Sequence, residues 1–500
     1  TIKDVSELNM TDGKYFPYSK GGERKRWYGN HEFVVWYDDK GRKAMDKTSG
    51  HRENGGFDVY FHKGMTWSYS TMAAFCARIM PYGFVFDVNG SSLFLPDGYY
   101  NYVLAFLQSS VGRFIIDSTK SAFSIQAGTI RNLPIIGEAN DKIDAYVKRC
   151  ISISKQDWDS FETSWDFERH PLVKKGLSRS HWNADHITIE ECYRFWSDEC
   201  DQCFQQLKSN EEELNRIFIE IYGLQNELTP EVEDKDVTVR RADLQRDIKS
   251  LLSYAVGCMF GRYALDIPGL AYAGGDWDEG KYSQFKPDAD NVIPITDEEY
   301  LEDDIVSRLC AFLKVAFGEQ TLEENLDFIA KALGSKGDSG REIIRNYFLN
   351  DFFKEHCQTY SVTGSGKRPI YWLFDSGKQN GFKALIYLHR YNADTIGNLR
   401  IDYLHRMQRI YEREISRMQD MIDNSTNARE VAQSTKRREK LTKQLKECRE
   451  YDEKLAHLAL SRIELDLDDG VKKNYRKIQT ANDGKLYEVL ADSKNIMSKE

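Results

Sequence analysis

A run of cations, glycines and aromatic residues lies near the start of the chain, at residues 20–30 (KGGERKRWYGN). Arg and Lys side chains neutralise phosphates, Arg and Asn can pair with purine edges, and glycines allow a backbone to approach DNA closely. The alternative interpretation is an exposed basic turn that leads into a strand. We predict DNA contacts from five residues of this run: Lys20, Arg24, Lys25, Arg26 and Asn30.

A second polar segment follows an apolar stretch about ninety residues later. Ser118 and Thr119 are small hydroxyl residues, and Lys120 adds a positive charge. Such side chains can contact a phosphate or a base edge, and they equally suit an ordinary surface loop. We add these three residues to the candidate DNA contacts.

Motifs for metal binding and phosphate loops are incomplete in this sequence. Cys200 and Cys203 form one CxxC pair without a second pair nearby, so buried free cysteines are the better interpretation. The GSGK sequence at 364–367 lacks the first Gly and the following Ser or Thr of a Walker motif. The Glu-Asp-Lys sequence at 233–235 has no Pro-Asp pair upstream, which favours a charged linker. We predict no metal site.

Motifs of cofactor-dependent and hydrolytic enzymes are absent from the 500 residues. There is no strand–GxGxxG–helix unit and no (N/D)-P-P-(Y/F) sequence to hold a flipped base and its amine. There is also no G-x-S-x-G elbow and no H-E-x-x-H helix. We therefore predict no catalytic residue and no cofactor site in this chain, which favours a binding and scaffolding module.

The charge balance limits the class of nucleic-acid binding. A net charge of −10 argues against a protein that coats nucleic acid indiscriminately, because phosphate binding is mainly electrostatic. The first 135 residues carry 16 Lys and Arg against 13 Asp and Glu, whereas the remainder is acidic. We expect any DNA surface to lie early in the chain.

Composition also bears on the compartment and the completeness of the chain. Nine scattered cysteines form no spaced framework, and no run of 18 apolar residues or signal peptide is present. We therefore expect a cytoplasmic protein without a membrane partner. Because the chain begins at Thr1 and not at methionine, we expect it to be a piece of a longer protein.

The early residues alternate between short apolar stretches and turn sequences. The pattern predicts strands at 33–37, 57–61 and 83–86, with turn residues at 38–41 and 54–56. The stretch YYNYVLAFLQSSV at 99–111 has helical spacing, and Gly112 offers a stop. A further strand is predicted at 129–136.

From about residue 138 the pattern becomes helical. Helices are predicted over 141–151, 188–222, 238–263, 297–317 and 341–360, with one strand over 369–374. Later apolar residues recur in a/d spacing, from Leu404 to Ile422 and from Leu441 to Leu458, and the sequence NSTN at 424–427 breaks the helix between them. This predicts an antiparallel helical hairpin. The fold class is α+β, with predicted domains at 1–137, 138–300, 301–394 and 395–500.

Long blocks of the sequence carry a resemblance to a known family. They include YFPYSKGGERKRWYGNHEFVVWY at 15–37, YVLAFLQSSVGRFIIDST at 102–119, GTIRNLPII at 128–136 and RPIYWLFDSGKQNGFKALIYLHRYN at 368–392. The chain resembles the carboxy-terminal half of PglX-type adenine-specific DNA methyltransferases of BREX phage-defence loci. The helix with F-L-x-S, a small-residue loop and L-P-I is also similar to DNA target-recognition domains.

The resemblance implies a target-recognition-type α/β domain followed by a large helical region. It also implies S-adenosylmethionine as the methyl donor of the full-length enzyme and adenine N6 as the acceptor, with the catalytic motifs upstream of this chain. The implied partners are double-stranded DNA and the protein's own amino-terminal methyltransferase domain. Other BREX proteins are further candidate partners.

Two function classes remain open beside an independent enzyme, the least favoured class. In the first, residues 1–137 recognise DNA and the helical remainder is a scaffold. In the second, the chain is a protein–protein interaction module of the defence complex without direct DNA contact, which the acidic helical remainder favours.

Overall fold

The structure is a computed structural model that describes most of the chain. The described residues are 2–3, 5–10, 12–48, 57–70, 72–120, 123–178, 186–334, 336–362 and 366–497. The predicted turn at 54–56 and the first two residues of the GSGK sequence lie outside the described residues.

Helices dominate the structure. In chain order the α-helices are α1 (Asp39–Met45), α2 (Tyr100–Gln108), α3 (Ser110–Thr119), α4 (Ala127–Arg131), α5 (Asp141–Asp159), α6 (Pro171–Leu177), α7 (Ile189–Tyr222), α8 (Leu244–Met259), α9 (Ile305–Phe317), α10 (Leu322–Leu333), α11 (Gly340–Asn350), α12 (Phe352–Thr359), α13 (Thr395–Asn398), α14 (His405–Asn424), α15 (Ala428–Ser461), α16 (Val471–Lys477) and α17 (Ser493–Ile496).

The strands are short and form small sheets. They are β1 (Tyr15–Ser19), β2 (Phe33–Trp36), β3 (Gly64–Trp67), β4 (Ala77–Met80), β5 (Val85–Phe86), β6 (Ser92–Leu93), β7 (Ile293–Pro294), β8 (Ser361–Val362), β9 (Gly366–Lys367), β10 (Tyr371–Asp375) and β11 (Lys383–Tyr387). Three sheets have three strands each, in the orders β2-β1-β5, β4-β3-β6 and β10-β11-β7, and β8 and β9 form a separate two-stranded sheet. The α+β class is confirmed.

The chain divides into two compact units. Unit 1 contains residues 1–167 and 195–242, and unit 2 contains residues 168–194 and 243–500. The division into four domains stays a prediction.

The core of unit 1 is built around α2. Eight of the nine residues of this helix are buried, from Tyr100 to Gln108 apart from Asn101, and all of these except Gln108 share an apolar cluster with residues of β3, α5 and α7. A smaller aromatic cluster contains Phe16, Tyr37 and Phe61 and covers one side of the β2-β1-β5 sheet. Burial of these side chains removes apolar surface from water and drives the packing of short strands against helices.

Two helices replace the one predicted at 99–111. Ser109 ends α2 and caps α3, since its backbone is extended and its Oγ accepts a hydrogen bond from the Gly112 N–H at 3.1 Å. Gly112 lies inside α3 and does not stop it. A Cβ at Gly112 would lie 2.1 Å from the Phe106 carbonyl oxygen, so glycine serves the close approach of the two helices.

Two predicted strands are wrong. Residues 57–59 form a 3-10 turn, and residues 127–131 form α4. The Pro134–Ile136 backbone is irregular and bonds to tyrosine hydroxyls. Tyr222 donates to the Pro134 carbonyl at 2.7 Å and accepts from the Ile136 N–H at 3.1 Å, and Tyr102 donates to the Ile136 carbonyl at 2.7 Å. These bonds satisfy polar groups that a strand would otherwise pair.

The sheet of unit 2 carries the predicted strand near residue 370. β10 pairs with β11 in antiparallel register, from Tyr371 opposite Tyr387 to Asp375 opposite Lys383. All residues of β11 are buried, so both faces of this strand are covered. The predicted helix over 341–360 is divided into α11 and α12 at Asp351.

The predicted helical hairpin is present as α14 and α15. Met407, Tyr411 and Met418 are buried on α14, and the apolar a/d residues from Leu441 to Leu458 are buried on α15. Asn427 caps α15, because its side chain accepts a hydrogen bond from the Arg429 N–H at 3.0 Å. Among the described residues, no helix combines the length and apolar character needed to cross a membrane.

The buried seam of the hairpin predicts that Leu→Ala substitutions at two positions of α15 have different effects on stability. Leu455 is 0% exposed and Leu460 is 83% exposed. We expect Leu455→Ala to lower the free energy of unfolding by about 2–5 kcal/mol, because it leaves a cavity in the seam. Leu460→Ala should change it by less than about 0.5 kcal/mol. Urea unfolding followed by circular dichroism measures both, and equal losses would contradict the buried seam.

Candidate nucleic-acid interface

The 20–30 loop is folded tightly against unit 1. Gly21, Gly22 and Gly29 have positive φ angles, and so do Trp27 (70°) and Asn30 (61°). Trp27 is 0% exposed, and its backbone pairs with β4 through the Ala77 carbonyl and the Ile79 N–H. A non-glycine residue in the left-handed region is strained, so surrounding contacts must hold it there.

A buried ion pair provides those contacts. Arg26 is 2% exposed and Glu211 on α7 is 1% exposed, and an Arg26 Nη donates to a Glu211 carboxylate oxygen. The indole N–H of Trp27 donates to the other Glu211 oxygen at 2.7 Å. Arg26 also donates to the Gln108 carbonyl at 2.6 Å. Burial raises the pKa of the Glu211 carboxyl, and the charge of Arg26 and the Trp27 hydrogen bond oppose this rise.

The other cations of the loop lie nearer the surface and share acidic partners. Arg24 is 2.7 Å from Asp236, and Arg113 of α3 is 3.9 Å from the same carboxylate. Lys25 is 3.9 Å from Asp157 of α5, which Arg240 contacts at 3.1 Å. We name the four partly exposed cations the basic cluster: Arg24, Lys25, Arg113 and Arg240.

Each of these two carboxylates thus contacts two cations of the basic cluster. Burial and the nearby charge of Arg240 lower the pKa of the Lys25 ammonium, while Asp157, Glu23 and Glu32 oppose this shift. The Arg240 guanidinium carbon also lies 3.4 Å from the centre of the Phe161 ring. The cluster is therefore held in place by both charge and packing.

The remaining predicted DNA contacts occupy different settings. Lys20 is exposed, with its Nζ 5.6 Å from the centre of the Phe33 ring. Asn30 is 6% exposed and donates to the Glu23 carbonyl at 2.8 Å, so it braces the loop. Arg26 and Asn30 have little surface for a phosphate in this conformation.

The segment 118–120 is the end of α3 and not a loop. The Ser118 hydroxyl donates to the Phe114 carbonyl at 2.8 Å, and the Thr119 hydroxyl donates to the Ile115 carbonyl at 2.9 Å. Lys120 pairs with Asp117 at 2.6 Å. These contacts are local to the helix, whereas Arg113 near its start belongs to the basic cluster.

Sequence reasoning did not identify Glu211, Asp157, Asp236 or Arg240 as part of this site. One signal was available for Glu211, because it shares a helical face with Leu207, Leu214 and Phe218, which are all buried. A carboxylate on an apolar face needs a buried partner. No local pattern indicates which cation that partner is.

Metal chemistry has no support at this site or elsewhere in the described ranges. No group of three or more His, Cys, Asp or Glu side chains that could hold a metal ion occurs among the described residues. Cys200 is buried and Cys203 is half-buried, and both are free thiols.

Two curated proteins match almost the whole chain. The adenine-specific methyltransferase PglX of Lacticaseibacillus casei (strain Zhang) is 44% identical over 479 residues, covering 94% of this chain and 39% of that protein. The adenine-specific methyltransferase BrxX of Escherichia coli O9:H4 (strain HS) is 35% identical over 531 aligned positions, covering 99% of this chain and 41% of that protein. No protein-family profile matches. The chain spans about two fifths of the length of these relatives.

The buried ion pair predicts that Arg26→Met is strongly destabilising. The substitution leaves the Glu211 carboxylate buried without its cation, and we expect a loss of about 3–5 kcal/mol in the free energy of unfolding. Arg216→Met is the matched control on α7, since Arg216 is 59% exposed and pairs with Glu213 on the surface. Chemical denaturation measures both variants, and equal small losses would show that the buried pair does not hold the loop.

A buried histidine next to the 20–30 loop predicts that the stability of the fold decreases in acid. His31 is 6% exposed, and burial together with the charge of Arg78 lowers its pKa from 6.5 to about 4. The folded state favours the neutral ring. The resulting contribution to the free energy of unfolding is therefore fully present above pH 6.5 and is lost as the pH falls toward 4. We expect His31→Gln to flatten this part of the pH dependence of the unfolding midpoint. His62→Gln is the matched control, and an unchanged slope in His31→Gln would contradict the prediction.

Proposed function

We propose that this chain, a homologue of part of the adenine-specific methyltransferases PglX and BrxX, is the DNA-recognition and scaffold portion of a site-specific adenine-N6 DNA methyltransferase of a BREX phage-defence system. Methyl transfer from S-adenosylmethionine takes place in a methyltransferase domain outside these 500 residues, which contain none of the motifs for that chemistry. The helical remainder braces the recognition region against that domain and docks other BREX proteins.

The observation that carries the DNA contact is the sharing of Asp236 and Asp157 by two cations each. A DNA phosphate that approaches Arg24 or Lys25 can take one cation while the carboxylate keeps the other. The exchange therefore leaves no buried charge without a partner, which would be costly. The loop is already folded, so little conformational entropy is lost on binding.

The second candidate function is a protein–protein interaction module without direct DNA contact. It is favoured by the internal pairing of Arg24, Lys25 and Arg26, each of which already has an acidic partner within unit 1. In that case the loop cations serve only the stability of unit 1. The salt dependence of DNA binding separates the two functions.

The experiment measures duplex affinity of the full chain over a range of salt concentrations by fluorescence anisotropy. We expect the double variant R24A/K25A to weaken binding and to lower the slope of log affinity against log salt by about 2, since each lost phosphate contact lowers it by about 1. Arg26 is left intact because we expect its substitution to destabilise unit 1.

The matched control is K148A/R149A, which removes one Lys and one Arg from exposed positions on α5 of the same unit. It should leave the slope unchanged. Binding and slope that are identical in R24A/K25A and the unmodified chain would favour the interaction module. Incubation of the chain with labelled S-adenosylmethionine and duplex DNA should give no methyl transfer.

A further inference from the structure

One side of the β2-β1-β5 sheet presents exposed aromatic residues. Tyr15 of β1 lies opposite Trp36 of β2, and Pro17 lies opposite Val34, so these four side chains share one side of the sheet. Tyr15 is 44% exposed, Val34 is 55% exposed and Trp36 is 37% exposed. We name these four residues the aromatic face.

The aromatic face is supported by packing behind and beside the sheet. The opposite side of the same strands is packed, since Phe16 is buried in the aromatic cluster of unit 1 and Val35 packs against it. A Cβ at Gly41 would lie 2.8 Å from Cγ of Trp36, so the indole rests against α1. Packing behind the sheet and against α1 supports Trp36, and both rings stay partly exposed.

A cation lies beside the aromatic face. Lys14 precedes β1, and its Nζ lies 5.4 Å from the ring centres of both Tyr15 and Trp36. Lys20 follows the strand on the other side of the sheet, where its Nζ lies 5.6 Å from the ring centre of Phe33, the partner of Tyr18. Asp39, the acidic residue of α1, is paired with Arg42. Positive charge beside open rings is the combination that single-stranded nucleic acid recognises, through base stacking and phosphate contact.

We propose that the aromatic face binds unpaired nucleotides of a DNA strand, with bases on Tyr15 and Trp36 and a phosphate near Lys14. This proposal rests on the proposed function for the choice of DNA as the polymer. Paired bases are stacked on each other inside the duplex and offer no ring surface to this face. An enzyme that modifies a base must first take it out of the stack, so unpaired nucleotides arise beside a methylation site.

The test uses the full chain and two labelled probes, a twelve-nucleotide single strand of mixed sequence and a duplex, in fluorescence anisotropy at low salt. We expect the single strand to bind and Y15A/W36A to weaken that binding at least about tenfold, as one lost base–aromatic stack is sufficient for such a change. The duplex affinity should be retained. The conservative variant Y15F/W36F, which keeps both rings, should bind the single strand like the unmodified chain.

The matched control is Y99A/W165A, which removes one exposed Tyr and one exposed Trp elsewhere in unit 1, at 61% and 47% exposure. It should leave single-strand affinity unchanged. No single-strand binding by the unmodified chain, or equal affinity in Y15A/W36A, overturns the proposal. So does a Y15A/W36A variant that changes only self-association in sedimentation velocity, because the face is then an interface between copies. Loss of duplex binding in R24A/K25A with single-strand binding retained separates this proposal from the proposed function.

Discussion

The structure of the early region depends on one buried carboxylate. Glu211 receives hydrogen bonds from two consecutive residues, the Arg26 guanidinium and the Trp27 indole, and so fixes the side chains on either side of one peptide bond. A buried ion pair is costly to desolvate and is retained only where its hydrogen bonds are well satisfied. Here the Gln108 carbonyl takes a further N–H of Arg26. The pair therefore specifies one loop conformation, with Trp27 at a positive φ that it would not adopt alone.

This arrangement divides the basic residues of the loop by depth. Arg26 is buried and stabilises the fold through its pair with Glu211. Arg24 and Lys25 lie nearer the surface beside shared carboxylates. In the proposed DNA-binding function, the intramolecular acids would compete with DNA phosphates for these cations, and the competition would weaken binding to arbitrary sequence, in which phosphate contacts supply nearly all the affinity. The net charge of −10 also argues against a protein that coats nucleic acid indiscriminately.

The sequence was informative where local periodicity determines the structure. The a/d pattern of α14 and α15 predicted the hairpin, and the cap at Asn427 was visible in the same residues. Prediction from the sequence failed where a side chain that is distant in sequence takes the place of a local hydrogen-bond partner. The apolar 129–136 stretch reads as a strand, but two tyrosine hydroxyls, from residues 102 and 222, take its backbone bonds instead. The prediction of the site failed for the same reason. The sequence indicates that Arg26 is a surface cation, and only the structure shows that Glu211, 185 residues later, is its buried partner.

Phosphate contacts and base contacts have different consequences, and the two proposals assign them to separate surfaces of this chain. Contacts to phosphate fix position and orientation without reading sequence, whereas stacking or hydrogen bonding to bases requires that bases be accessible. The basic cluster contains four cations, whereas the aromatic face contains two partly exposed rings beside one cation, Lys14. Arg24 and Lys25 directly precede Arg26, so the buried Glu211 pair fixes the loop that carries these two cations, whereas the packing of Phe16 and Val35 holds the aromatic face.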